Sequence, residues 1–305
     1  MKYHILNGQL LSAEEAAIGL NDLALLRGYG VFDFFAVHKG RPLFLEDHLQ
    51  RFQRSAALYD LDIPCSMSDL RRQIFQLIRA CSMEEGGISL VLTGGYAEDG
   101  FHADTQSNLL LLSRPPQARF ADKQKAHRPV KLLLDSFVRE LPEAKGLNYA
   151  RALRKQKALK ALQAAELLYT DGRRVLETFR SNVFLVLPSG KLRTAGTGVL
   201  QGITRKYVLQ LAREQGLDVQ EGDVPLGDLA KAEEVFLTGS GKGLFPVSQI
   251  YLSSGFFDLF PEESLSLRSE NLAALSIADG RPGPVWRQLN EAMSNFVEEQ
   301  TAPAD

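Results

Sequence analysis

Two cysteines, one tryptophan and four methionines are all that the 305 residues contain of those types. Cys65 and Cys81 are too few for a disulfide framework, and neither falls in a metal-ligand spacing, so they read as reduced thiols and no metal is expected. No stretch approaches the roughly 18 apolar residues of a membrane-spanning helix. The opening "MKYHILNGQLL" lacks the apolar core and small-residue cleavage site of a secretion signal. Excess charge is missing as well: 35 Lys and Arg face 37 Asp and Glu, for a formal net charge of −2. A nucleic-acid or membrane-surface partner needs a strong basic field, so both are excluded. These absences leave a cytoplasmic protein whose 45% hydrophobic and 24% charged residues suit a globular enzyme. Its length suggests about two domains.

Along the chain, "YHILNGQLL" reads as a strand pair turning at Asn7-Gly8. Val31 to Val37 is a strand, His38-Lys39-Gly40 its turn, and Pro42 to Leu45 the return. Leu49, Phe52, Ala56 and Tyr59 recur at helical steps within a helix from about Glu46 to Tyr59. A second helix runs from Ser68, its expected N-cap, to about Cys81. "GISLVLT" and "NLLLLSRP" are strands on either side of a glycine-rich loop. The polar, proline-bearing "RPPQARFADKQKAHRPV" is the expected junction, which gives domains 1–117 and 127–305 with a linker at 118–126. In the second half, "VKLLLDSF" is a strand, "ARALRKQKALKALQAAE" one helix, and "ELLYTDGRRVLETFRSNVFLVLPSGKLRT" three strands. A helix capped by Thr204 ends at Gly216, and another runs from Trp286 to about Glu298. Leu252 to Ala274 reads as an irregular insertion.

Three features of the second half carry chemistry. The loop "QGI" leads straight into a helix, whose first amides at Ile203 and Thr204 favour an anion. "FLTGSGKG" ends a strand in the hydroxyls of Thr238 and Ser240 among three glycines. It fails the Walker pattern, because Phe236 holds the first glycine position and Gly243 follows Lys242, yet it can still form a simpler phosphate cup. Glu177 lies in a strand-like run on the face of Val175 and Phe179, where a buried carboxylate needs a partner; Arg173, Arg174 and Arg180 are within reach along the chain. Among 13 lysines, Lys145 stands apart, between a Pro-Glu-Ala turn and Asn148-Tyr149. A lysine amine, a carboxylate and an anion cup are what pyridoxal 5′-phosphate requires.

In this order, Lys145-Gly-Leu-Asn148-Tyr149, Glu177-Thr-Phe-Arg-Ser181-Asn182, Gly202-Ile203-Thr204-Arg205 and Thr238-Gly-Ser240 resemble the class IV (fold type IV) pyridoxal-phosphate aminotransferases. That family includes branched-chain aminotransferases, D-amino acid aminotransferases and aminodeoxychorismate lyases. "LRGYGVFDFF", "LEDHLQRFQRSA" and "DGRPGPV" are similar to further family stretches, so the likeness runs from about Asn7 to Asn295. It implies an α+β fold with a small N-terminal α/β domain and a larger, pseudo-barrel-like C-terminal domain. It implies transfer of an amino group from an amino acid to a 2-oxo acid, in a homodimer whose site lies between the domains.

By the same resemblance, Lys145 forms the Schiff base with the cofactor and shuttles the proton, Glu177 faces the pyridine nitrogen, and Tyr149 meets the phenolic oxygen. Arg51, Ile203, Thr204, Thr238 and Ser240 hold the phosphate, although Arg51 taken by itself reads as a surface helix arginine. Substrate readout departs from the pattern. Ala36 stands where many relatives have a basic residue, Asp33 replaces the usual glutamate, and the loop "TGGYAEDGFHAD" is acidic where D-amino acid enzymes carry an Arg-x-His trap, leaving His102 as a weak substitute. Aromatic walls at Phe32, Phe34 and Tyr96 suit a hydrophobic, branched-chain-like donor, with Arg180 and Gly239 available to its carboxylate. The alternatives are a lyase of the aminodeoxychorismate type and a non-catalytic pyridoxal-phosphate-binding relative.

Overall fold

The computed structural model describes residues 2–103, 105–116, 128–241 and 243–301. The expected linker and Lys242 lie outside the described residues. The chain divides into two compact units, Met1–Ala121 with Glu143–Asn148 and Val297–Asp305, and Asp122–Pro142 with Tyr149–Phe296.

In the first unit, Asn7 and Gly8 both take positive φ, as a two-residue hairpin demands, and join β1 (Tyr3–Leu6) to β2 (Gln9–Ser12). With β3 (Gly30–His38), β4 (Arg41–Pro42), β5 (Glu85–Thr93) and β6 (Leu109–Arg114) they form an antiparallel sheet ordered β2-β1-β6-β5-β3-β4. The return strand after Gly40 is only two residues long, because Phe44 turns left-handed and opens the helix Leu45–Leu58. The following helix, Met67–Ala80, is capped by Ser66 rather than Ser68: Ser66 Oγ accepts the Asp69 amide at 3.1 Å. Phe35, Phe52, Leu49, Ile74, Leu77 and Ile88 fill the core between sheet and helices. Along β3 the faces alternate. Val31, Asp33, Phe35 and Val37 are buried, while Phe32 and Phe34 are half-buried on the other face.

The second unit is a ten-stranded sheet. Its strands are β7 (Val130–Ser136), β8 (Glu166–Thr170), β9 (Val175–Thr178), β10 (Asn182–Val186), β11 (Leu192–Ala195), β12 (Val219–Gly222), β13 (Glu234–Gly239), β14 (Gly243–Ser253), β15 (Leu265–Ser269) and β16 (Leu272–Ser276). The pairing runs β12-β11-β10-β9-β8-β7-β14-β16-β15, and β13 pairs with both β10 and β14. Strands β10-β9-β8-β7-β14-β13 therefore close on themselves, as the barrel-like expectation requires. Every residue of β8, β9 and β10 is buried, which is why these strands read as near-continuous apolar runs.

Four expectations need correcting here. The run 166–194 holds four strands and not three. Thr178 Oγ1 accepts the Ser181 amide at 2.8 Å, which turns the chain after Glu177 and leaves Phe179 outside the strand. The expected long helix breaks at Lys155 into Ala150–Arg154 and Gln156–Leu162. Residues 252–274 are no irregular insertion. They comprise the end of β14, two 3-10 turns, β15 and the start of β16, which pairs with β14. Finally, the helix Ile203–Glu214 is capped by Gly202, with Thr204 inside its first turn.

Candidate active site

Lys145 belongs to the first unit. Its segment lies beside the start of β3: the Phe32 N–H donates to Lys145 O at 2.9 Å, and the Leu147 N–H donates to Gly30 O at 3.0 Å. The Lys145 N–H donates to Ser55 Oγ at 3.1 Å. A side chain at Gly146 would meet the Tyr59 hydroxyl at 2.1 Å, so only glycine fits after the lysine. The lysine is thus fixed by its backbone, and its Nζ stands 4.7 Å from the centre of the Phe32 ring.

Arg51 is no surface residue. It is 4% exposed, and its Nε and Nη2 donate to Asp33 Oδ2 and Oδ1 at 2.8 and 2.7 Å. His48 Nδ1 lies 2.7 Å from the same Asp33 Oδ1. Burial alone would raise the Asp33 carboxyl, but Arg51 and His48 reverse this and hold it well below the usual carboxylate range. Burial lowers His48 from its ordinary value, and Arg51 and Lys145 add to that against the pull of Asp33. Phe34 packs against Gly87, where a side chain would come within 2.6 Å of its ring. Tyr96 accepts a hydrogen bond from the Gly19 amide and borders a cavity of about 500 Å³ with Cys65, Gln73 and Asn108. His102 is engaged by Asp99 at 2.6 Å, and that hydrogen bond, with two backbone amides, lowers the Asp99 carboxyl to about 2.

The remaining expected residues, Tyr149, Glu177, Arg180, Ile203, Thr204, Thr238, Gly239 and Ser240, belong to the second unit. Asn182 ties several of them together. On β10 it pairs with Glu177 of β9 on one side and Thr238 of β13 on the other. Its Nδ2 donates to Leu200 O at 2.8 Å, while the Leu200 amide donates to Glu177 Oε2 at 3.0 Å. A side chain at position 202 would sit 2.1 Å from Asn182 Oδ1, so the helix 203–214 must begin at a glycine that offers no capping group. Among the described residues, Thr238 Oγ1 is buried without a hydrogen-bond partner. An uncapped helix start and an orphaned hydroxyl, brought together through Asn182, form an environment that fits a phosphate ester.

Glu177 is paired with a residue that its own stretch of sequence did not offer. Arg174 binds Asp171 and Asp223, and Arg180 lies 3.3 Å from the buried Glu166. The partner is Arg139, whose Nε donates to Glu177 Oε1 at 2.8 Å and whose Nη2 bonds the same oxygen. Arg139 and Asn182 are the residues that sequence reasoning did not assign. Asn182 had a signal in its place after the glutamate run, whereas Arg139 had none. Burial pushes the Tyr149 hydroxyl up to about 12, against the opposing influence of Arg139. Its ring meets Phe179 edge-on at 6.5 Å. Arg180 leads the turn out of β9 with its guanidinium 4.6 Å from the Phe179 ring centre and its side chain half exposed.

A family model described as amino-transferase class IV matches residues 30–250. A D-alanine aminotransferase of Bacillus licheniformis is 27% identical over 303 residues, 98% of each chain. A putative branched-chain-amino-acid aminotransferase of Methanocaldococcus jannaschii is 30% identical over 257 residues, 80% of this chain and 86% of that one. Among solved structures, a T.th. branched-chain amino acid aminotransferase with pyridoxamine 5′-phosphate shares the fold, with a TM-score of 0.81 at 23% identity over 98% of this chain and 95% of that one.

Proposed function

The chain belongs to the class IV aminotransferases, which are pyridoxal 5′-phosphate enzymes, and we propose that it takes 2-amino acids with apolar side chains as donors to a 2-oxo acid. When bound, the cofactor supplies an electron sink that makes the donor's α-proton acidic. Lys145 Nζ would anchor it and, once the donor's amine has displaced the lysine, would carry the proton away from the donor's Cα. Glu177, fixed by Arg139 at one oxygen and by the Leu200 amide at the other, would present a carboxylate to the ring nitrogen. Burial keeps Tyr149 protonated across the physiological range, so its hydroxyl could donate to the phenolic oxygen. The Ile203 and Thr204 amides, Thr238 Oγ1 and Ser240 would hold the phosphate, and Arg51 would be the cation for it.

The observation that carries the substrate reading is Arg180. Three residues after Glu177, it is held by the buried Glu166 and by the Phe179 ring, and still reaches solvent. It supplies the cation for the α-carboxylate that Ala36, buried and uncharged, does not. Gly239, where a side chain would come within 3.4 Å of Arg180 O, leaves room beside it. Phe32 offers an apolar wall next to Lys145. A panel of D- and L-alanine, valine and leucine with 2-oxoglutarate or pyruvate tests the reading and sets the handedness. Arg180→Ala should raise KM for these donors about tenfold or more while leaving a carboxylate-free amine unaffected. Equal loss on both would overturn the role of Arg180. Release of pyruvate from aminodeoxychorismate without an added oxo acid would favour the lyase instead.

The proposal includes a cytoplasmic homodimer. Support for the dimer comes from large apolar side chains of the first unit left in solvent: Leu20, Leu25 and Phe101 are 82%, 60% and 70% exposed. Light scattering of wild type against Leu25→Glu decides it: a monomer in both would sink the dimer. The two free thiols support the location. Among the described residues, no helix is long and apolar enough to cross a membrane.

A further inference from the structure

Arg51 would meet a phosphate with a long side chain that has many rotamers, and freezing it costs entropy unless it is frozen beforehand. The first unit contains the means. Asp33 grips the guanidinium by Nε and Nη2, two nitrogens on one edge of the fork, which fixes both the plane and the direction of the third. Asp33 is itself held: the Phe34 amide donates to its Oδ1 at 2.7 Å, and His48 Nδ1 lies 2.7 Å from the same oxygen. Asp33, His48 and Arg51 are 0%, 1% and 4% exposed, so water does not compete for these bonds. His48 also abuts the Phe35 ring at 5.7 Å, which limits its swing. Its lowered proton affinity keeps it a neutral ring that donates from Nδ1, leaving Asp33 and Arg51 as one negative and one positive charge.

That balance makes the arrangement informative. An arginine already neutralised by a buried aspartate projects little long-range field, so what it offers an anion is direction more than net attraction. We propose that Asp33 and His48 are positioning residues that hold Arg51 in a single orientation toward the cofactor's phosphate ester and thereby set the preference of this chain for phosphorylated over unphosphorylated cofactor. The inference rests on the reading that Arg51 meets the phosphate.

The test is to titrate pyridoxal 5′-phosphate and pyridoxal separately into the cofactor-stripped full chain, following absorbance, and to take the ratio of the two affinities. Positioning and mere charge compensation predict opposite signs. If Asp33 only neutralised Arg51, Asp33→Asn would expose the full positive charge and raise the ratio. If it positions Arg51, the ratio falls by about tenfold or more while pyridoxal affinity stays unchanged. His48→Ala should lower the ratio by a smaller factor. His48→Asn, whose amide can stand where Nδ1 stands, should restore it. A ratio unchanged or raised in Asp33→Asn overturns the inference. If that variant does not fold, an unchanged ratio in His48→Ala does the same. Arg51→Ala separates the two levels. If it keeps the full phosphate preference, the phosphate reading of Arg51 falls. If it loses that preference while the Asp33 and His48 variants keep it, only the positioning inference falls.

Discussion

Asp33 and Glu177 are both buried strand carboxylates gripped by an arginine through Nε and Nη2, one in each unit, yet they are set in different surroundings. Asp33 and its partner are sealed: Arg51 is 4% exposed, and a histidine ring and a backbone amide complete the shell. Glu177 is equally buried, but the side chain of its partner Arg139 is 21% exposed, and its other oxygen is held by the amide of Leu200, in the loop before a helix start. The same ion pair can therefore serve two ends. Sealed from water, it locks a side chain in place; left partly wet and beside a loop, it suits the proposed role of Glu177 toward a ligand.

Substitutions can break that contrast. The largest effect should come from Asp33→Ala, which strands a buried guanidinium and should cost about 3–5 kcal/mol of stability, read as a lowered midpoint in denaturant. Glu177→Gln should leave stability within about 1 kcal/mol and instead lower kcat about 10²–10³-fold. A stable Asp33→Ala, or a Glu177→Gln with wild-type kcat, would erase the distinction. Next comes Arg139→Gln, expected to lower kcat about tenfold and to shift the absorbance band of the bound cofactor, because Glu177 keeps the Leu200 amide but loses the Arg139 guanidinium. The smallest effect concerns pH. His48 is held below its ordinary value, so below about pH 6.5 the unfolded chain binds a proton that the folded chain refuses, and stability falls with acidification. Asp33, also lowered, adds a second decline only below about pH 4. His48→Asn should remove the first decline and leave the second, which melting curves across pH 3–8 would reveal.

Local rules made much of this legible. Asn7-Gly8 announced its hairpin, and the three- and four-residue steps of the apolar positions announced the helix at 45–58. What stayed hidden was set by distance along the chain. Arg139 reaches Glu177 across 38 residues, and no spacing rule links them. Arg51 looked solvated because its partner comes from a strand and not from its own helix. The preference for threonine at a helix start pointed to Thr204, but Asn182 Oδ1 leaves no room for a side chain at position 202, so sterics from β10 overrode local propensity.

The grouping of the lysine segment bears on dissection of the chain. The first unit is assembled from three separate stretches, and Glu143–Asn148 returns to it after Asp122–Pro142 has gone to the second. A gene fragment encoding Met1–Ala121 would therefore contain all six strands of the first sheet and Arg51, yet not the proposed anchor Lys145, while a fragment from Tyr149 onward would contain Glu177 and the helix start, also without that lysine. Neither half could inherit the chemistry by simple scission, so a gene that splits or permutes this chain must keep the six-residue return intact with both of its flanks.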